Sequence, residues 1–138
     1  MKNSKWVRAA GIGVAALSAS AALSVQAADD AVVTAGKARF DQYCAVCHGS
    51  GGKGDGPFAN LMTTKPADLT MLAKNNNGEF PFGKVYESID GRSMLTAHGT
   101  TDMPMWGQEL KDKGIGGETE LRGRLVETVV YLQSIQAK

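Results

Sequence analysis

The feature that most constrains this chain is a cluster of two thiols and one imidazole within five residues. The segment CAVCH, Cys44 to His48, holds both cysteines of the 138-residue chain and one of its two histidines. Five glycines follow in the next eight residues, 49–56. Such a density of glycine predicts tight turns and close approach of the backbone rather than a helix or a strand. The chain therefore leaves the Cys/His cluster through a loop.

Three kinds of site use two cysteines at this spacing. A disulfide is possible in an oxidising compartment. A redox-active CxxC motif prefers a helix N-terminus after a strand, whereas here the pair ends a predicted helix. A structural zinc site needs four protein ligands, and His48 directly after Cys47 suits tetrahedral chelation poorly. The pattern CxxCH is the attachment signature of c-type haem, with thiols about one turn apart and the imidazole next to the iron. The motif favours one covalent haem c, held by Cys44 and Cys47 as thioethers and by His48 as the proximal iron ligand.

The N-terminal segment has the order of residues expected of a secretory signal peptide. Three basic residues among the first eight precede an uncharged apolar run over 9–25, and small residues precede a cleavage position after Ala27. The run is only mildly hydrophobic and shorter than the roughly 20 strongly apolar residues of a membrane anchor. We expect residues 1–27 to be removed and 28–138 to form one periplasmic domain without a membrane span.

Charge and motifs exclude several classes of function. The leader carries three of the 15 basic side chains, so the remainder has a slight excess of the 14 acidic ones. A nucleic-acid-binding domain would show a clustered basic excess instead. The sequence offers no paired carboxylates, no Ser-His-Asp set and no phosphate-binding GxxxxGK[ST] loop, so we expect no catalytic residues.

Apolar periodicity predicts an all-α domain with a longer helix at each end. Residues 34–47 and 119–136 both place apolar side chains at helical spacing. Gly36 is expected to permit close approach opposite Tyr131.

The remaining elements are predicted to be short. Helices are expected over 67–74 and 83–89, and an ordered loop is expected over 93–107. Asp29 or Asp30 is the expected cap of the first long helix, and Thr119 that of the last.

With these elements in place, the chain resembles the class I cytochromes c, the small single-haem bacterial kind. The matching motifs come in the family's order along nearly the whole mature chain, namely Cys44–Gly49, Lys65–Leu69, Ile89–Arg92, Met103–Gly107 and Tyr131–Leu132. The resemblance implies N- and C-terminal helices packed together, with short helices and loops wrapped around one covalent haem.

The sixth iron ligand is expected to be Met103. A thioether suits iron and raises the reduction potential of a His-ligated haem. Pro104 biases the residue before it toward an extended backbone that can run across the ring. The resemblance also implies a methionine before a proline, and Met105 and His98 remain alternatives.

Other residues are expected in the haem environment. Metal-bound imidazole usually donates its second N–H to an oxygen. The resemblance implies a proline carbonyl as that acceptor, with Pro66 matching better than Pro57. Arg92 and Trp106 are candidate hydrogen-bond donors to the haem propionates.

These features predict an electron-transfer protein rather than an enzyme. A haem iron with six ligands has no open position for a substrate, and it can gain and lose one electron. We expect a monomeric carrier of a respiratory chain that contacts a donor dehydrogenase and an acceptor oxidase or reductase transiently. The alternatives are a haem c subunit of a larger periplasmic oxidoreductase and, from another class, a gas-binding or sensory haem protein.

Four lysines lie in segments expected to surround the haem, namely Lys53, Lys65, Lys74 and Lys84. They form either a ring for docking partners or ordinary solvated side chains.

Overall fold

A long first helix and a break at the first cysteine set the architecture. The structure is a computed structural model that describes residues 15–92 and 103–137, with side chains from Asp29 onward. Chain contacts divide it into two units after Ala31. The first unit, where described, is helical backbone, and the second contains the core and the candidate site.

All regular elements of the described residues are helical, which confirms the all-α prediction. The α-helices are α1 (Ala15–Tyr43), α2 (Ala45–His48), α3 (Phe82–Asp90), α4 (Trp106–Asp112) and α5 (Glu118–Ser134). Single 3₁₀ turns cover Ala59–Leu61, Leu69–Met71 and Lys74–Asn76. Among the helices described, none is both long and apolar enough to cross a membrane.

Helix α1 differs from its predicted bounds at both ends. It extends through Asp29 and Asp30, which therefore lie inside the helix and do not cap it. No glycine or proline lies between residues 15 and 35, so nothing in that stretch stops the helix from continuing. At its other end α1 stops at Tyr43, and Cys44 separates it from the short helix α2.

The core is formed mainly by the apolar stripe of α5. Phe40 from α1, Leu121 and Val129 are its most deeply buried large side chains. Helix α5 contacts α3 and α4, and these two contact each other. The predicted stripe of α5 is confirmed because leucines and valines at helical spacing all face this core.

The predicted close approach at Gly36 is present. A Cβ atom at Gly36 would collide with the carbonyl oxygen of Glu127 and meet the Cβ of Tyr131. The rings of Phe40 and Tyr131 lie 5.3 Å apart beside this contact. Arg39 of α1 also forms an ion pair with Glu127 of α5. The end helices thus pack together where a residue without a side chain lets their backbones meet.

Three further local predictions are wrong and one is confirmed. The helix expected over 67–74 is replaced by two 3₁₀ turns, Leu69–Met71 and Lys74–Asn76. The loop expected over 93–107 lies outside the described residues up to 102, and its last two residues belong to α4, which begins at Trp106. Thr119 is not a cap, because α5 begins at Glu118 after Gly117. Helix α3 has its expected position and ends at Gly91, whose φ of 68° is the left-handed conformation that glycine tolerates.

Candidate cofactor site

A large cavity lies between the Cys/His segment, α3, α5 and the residues before α4. Its volume is about 990 Å³, at the upper end of the range for small-molecule and cofactor sites. Most of its lining is apolar, and the charged side chains in that lining are two lysines, Lys65 and Lys84. The lining residues are Phe40, Tyr43, Cys44, Val46, Cys47, His48, Phe58, Leu61, Met62, Thr64, Lys65, Pro66, Ala67, Leu69, Leu72, Pro81, Lys84, Val85, Ser88, Ile89, Met103, Pro104, Trp106, Thr128 and Leu132.

The break between α1 and α2 presents the two thiols and the imidazole to this cavity. The amide of Cys44 still donates to Phe40 O of α1 at 2.9 Å, and Cys44 O accepts from the amide of His48 at 2.9 Å. Both cysteines are free thiols that line the cavity together with His48. Burial, with a contribution from the neighbouring Cys47, raises the pKa of the Cys44 thiol to about 12.

A backbone carbonyl orients the imidazole. Nδ1 of His48 lies 3.2 Å from the carbonyl oxygen of Ala67, a distance that fits a hydrogen bond from the Nδ1–H tautomer. That tautomer leaves the lone pair of Nε2 free to bind a metal. The acceptor is therefore neither Pro66 nor Pro57 but the residue after Pro66. Pro66 itself lines the cavity, and its carbonyl faces Gly54.

The glycine-rich loop folds back against α2. The amide of Gly56 donates to Cys47 O at 3.1 Å, and a Cβ at Gly56 would meet the carbonyls of Val46 and Cys47. The amide of Gly54 donates to His48 O at 2.8 Å, with φ at 75°. Close contact with the backbone of α2 thus explains why this loop contains glycine.

Two of the described methionines reach the cavity. Met103 and Met62 line it, whereas the side chain of Met105 lies against Gly91 and is not part of the lining. This arrangement favours Met103 over Met105 as the distal ligand. The other alternative, His98, lies outside the described residues.

The structure separates the two predicted propionate donors. Trp106 lines the cavity, and its ring centroid lies 5.2 Å from that of Tyr43 with the ring planes tilted by 48°. Arg92 is absent from the lining, and it binds Asp90 (Nε to Oδ1, 2.6 Å) and Glu118 (Nη1 to Oε2, 2.9 Å). Two carboxylates thus bind the guanidinium of Arg92 in this structure, and its contact with a propionate stays a prediction.

Several lining residues have no clear signal in the sequence. The Ala67 carbonyl is a backbone group, which a sequence motif does not mark. Phe58 and Leu61 are 53% and 79% exposed although both line the cavity. Only the fold shows that these apolar side chains lie at its mouth.

The donor set and the cavity fit a haem group. The apolar lining suits a porphyrin face, the two thiols suit its vinyl groups, and the imidazole and thioether suit its iron. Lys65 and Lys84 also line the cavity, and their positive charge suits a group that carries acidic side chains. Residues 44, 47, 48 and 103 are therefore the ones that would hold it.

Comparison with protein families agrees with this geometry. The family model described as cytochrome c oxidase, cbb3-type, subunit III matches residues 31–117. Comparisons with curated proteins and with solved structures gave no significant match. The matched segment covers more than half of the chain and includes the Cys/His motif and Met103. The chain therefore belongs to this family, and it is a c-type cytochrome domain consistent with a class I cytochrome c.

Proposed function

We propose that this protein is a periplasmic one-electron carrier with a single covalent haem c. The observation that carries the proposal is that Cys44, Cys47, His48 and Met103 line one cavity. Cys44 and Cys47 serve as the thioether attachments, and His48 and Met103 serve as the axial ligands. When bound, the haem supplies a reversible one-electron change at its iron.

The chain's own residues set the conditions for that change. The Ala67 carbonyl holds the ring of His48 in one orientation and raises its basicity as a ligand. The apolar lining from α3 and α5 excludes water, and a Met103 thioether favours the reduced iron. With a ligand on each face, the iron has no open position for a substrate, which supports carrier rather than enzyme function.

The N-terminal segment and two lysines at the cavity support a periplasmic location and redox partners for this protein. Residues 1–27 serve as a cleaved signal peptide, and the change of contact unit after Ala31 supports a domain boundary near this position. The mature monomer meets a donor dehydrogenase and an acceptor oxidase or reductase transiently. Exposed Lys65 and Lys84 at the cavity support docking near the haem edge.

One observation favours a second candidate. The matching family model is described as a subunit of a cytochrome c oxidase, which supports a haem c subunit of a larger periplasmic oxidoreductase. Size-exclusion chromatography of detergent-solubilised native membranes and of the periplasmic fraction separates the two candidates. A carrier is recovered at monomer size from the periplasm, and a subunit co-elutes with a large complex.

The assignment of Met103 as the sixth iron ligand is tested with the same substitution, methionine to leucine, at two positions. Met103→Leu and Met105→Leu both conserve side-chain volume, so neither is expected to disrupt packing strongly. We expect the ferric wild type and Met105→Leu to show the weak near-infrared sulfur-to-iron charge-transfer band. Met103→Leu should lack it, and its ferrous form should bind carbon monoxide readily.

A different pattern contradicts the proposal. If the wild type lacks the band and binds carbon monoxide, the iron has an open position and the gas-binding or sensory function is favoured. If it lacks the band and resists carbon monoxide, another strong ligand such as His98 holds the iron.

A further inference from the structure

The residues just after Met103 are held against the end of α3. Gly91 follows α3 at a φ of 68°, and a Cβ there would meet the Cβ and Cγ atoms of Met105. Gly107 lies in the first turn of α4, and a Cβ there would collide with the carboxylate of Asp90. Both glycines are thus needed for the end of α3 and the start of α4 to approach closely.

Arg92 cross-links this junction to a third element. Its guanidinium binds both carboxylate oxygens of Asp90, at 2.6 and 3.3 Å, and donates to Glu118 at the start of α5 at 2.9 Å. Its Nε also lies next to Gly107. The side chains of Arg92 and Asp90 are only 20% and 15% exposed, so solvent screens this pair less than an ion pair on the open surface. A planar guanidinium binding two carboxylates fixes the geometry of all three elements.

We propose that Arg92 is a positioning residue for the sixth iron ligand. By joining Asp90 to Glu118 beside Gly107, it holds the start of α4, three residues after Met103, against the end of α3 and limits release of Met103 from the iron. Local opening at the start of α4 would compete with ligation by Met103, and ion pairs that hold this junction in place raise the free energy of such opening. The inference rests on the proposed ligation by Met103, and it is argued from the carboxylates that Arg92 binds in the structure.

The test compares ion-pair variants on one helix. Glu118→Gln removes the charge that faces Arg92, whereas Glu120→Gln removes a matched charge two residues later that pairs with Arg124 in the same helix. Arg92→Gln removes the cross-link, and Arg92→Lys keeps its charge without the two-pronged geometry. The readouts are carbon monoxide affinity of the ferrous protein and loss of the near-infrared band on heating, followed beside far-UV circular dichroism.

We expect carbon monoxide affinity to rise about tenfold in Arg92→Gln, as loss of charge-assisted hydrogen bonds implies. The rise should be smaller in Arg92→Lys and Glu118→Gln and absent in Glu120→Gln. The band of Arg92→Gln should disappear at a lower temperature than its helical signal, because the start of α4 detaches from the end of α3 before the fold is lost.

Two results overturn the inference while ligation by Met103 stands. In the first, the wild type shows the near-infrared band, but the variants at Arg92 and Glu118 have the same carbon monoxide affinity and the same thermal loss of the band as Glu120→Gln. In the second, the near-infrared band and the far-UV circular dichroism signal of Arg92→Gln are lost at the same temperature, which indicates a general effect on stability. A wild type without the band instead overturns the proposed ligation itself and this inference with it. Should Arg92→Gln fail to fold, Glu118→Gln on the exposed end of the cross-link decides between these outcomes.

Discussion

At the scale of single residues, a backbone carbonyl orients His48 and one carboxylate, Glu118, binds two arginines. The orientation of His48 depends on the carbonyl of Ala67, which any residue type at that position would supply. Glu118 has a different kind of role, because its two oxygens accept separately from Arg92 and Arg122. Both guanidinium groups favour the ionised carboxylate and lower the pKa of Glu118 to about 2.

This shift predicts a stability contribution that depends on pH. A carboxylate with a pKa lower in the folded than in the unfolded chain stabilises the fold above its unfolded value, near 4.5. The contribution is lost as pH falls from 4.5 toward 2. We therefore expect Glu118→Gln to lower the unfolding free energy at neutral pH and to weaken its decline over that acid range. Urea unfolding at a series of pH values measures this.

The control for this prediction is Glu120→Gln, which removes a carboxylate of the same helix that pairs with Arg124 instead of Arg92. Parallel profiles for Glu118→Gln and the wild type would show that Glu118 does not contribute this pH dependence.

At the scale of elements, contact between α1 and α5 depends on one position. Gly36 brings the backbone of α1 against Glu127 and Tyr131, and the pair of Arg39 with Glu127 lies beside it. Helix α5 carries another glycine, Gly123, whose Cβ position is open. Comparing substitutions at Gly36 and Gly123 therefore distinguishes the effect of glycine on packing from its effect on helix propensity.

We expect opposite effects from the same substitution at these positions. Gly36→Ala places a methyl group on the Glu127 carbonyl and should cost about 1–3 kcal/mol, as overpacking of a filled site does. Gly123→Ala meets no neighbour and should stabilise the protein by up to about 1 kcal/mol through helix propensity. Denaturant unfolding of both variants measures the difference, and destabilisation of similar size at both would contradict a specific contact at Gly36.

At the scale of the whole molecule, the cavity and the core share residues. Phe40, Val85 and Leu132 belong to the buried cluster and also line the cavity. A group that fills the cavity therefore completes the core. A small domain buries little apolar surface of its own, so its stability depends strongly on the apolar contacts that this group adds.

The stability of the fold should accordingly depend on covalent attachment. In the Cys44→Ser/Cys47→Ser double variant we expect less helical signal in far-UV circular dichroism and loss of a cooperative thermal transition. The physical reason is that the apolar lining of a cavity of about 990 Å³ would face water. Met105→Leu, which alters a methionine outside the cavity, provides the control. A double variant that unfolds as cooperatively as the wild type would contradict the prediction.

Short-range patterns were sufficient for the features that depend on local chemistry. The CxxCH spacing predicted two thiols and an imidazole at one place, and the stripe of α5 predicted its buried face. Gly91 predicted the end of α3 because only a left-handed residue closes that helix without strain. Periodicity failed for α4, whose seven residues give too short a pattern beside Pro104.

The sequence alone determined the helical class, the Cys/His motif and Met103 as a candidate ligand, because each depends on residue type and short spacing. Tertiary structure decided which groups surround them. It places the Ala67 carbonyl beside His48 and the side chain of Met105 against Gly91. It also pairs Arg92 with Asp90 and Glu118. These partners are separated by up to 26 residues along the chain. Their contacts depend on how helices pack around the cavity, which local residue order does not specify.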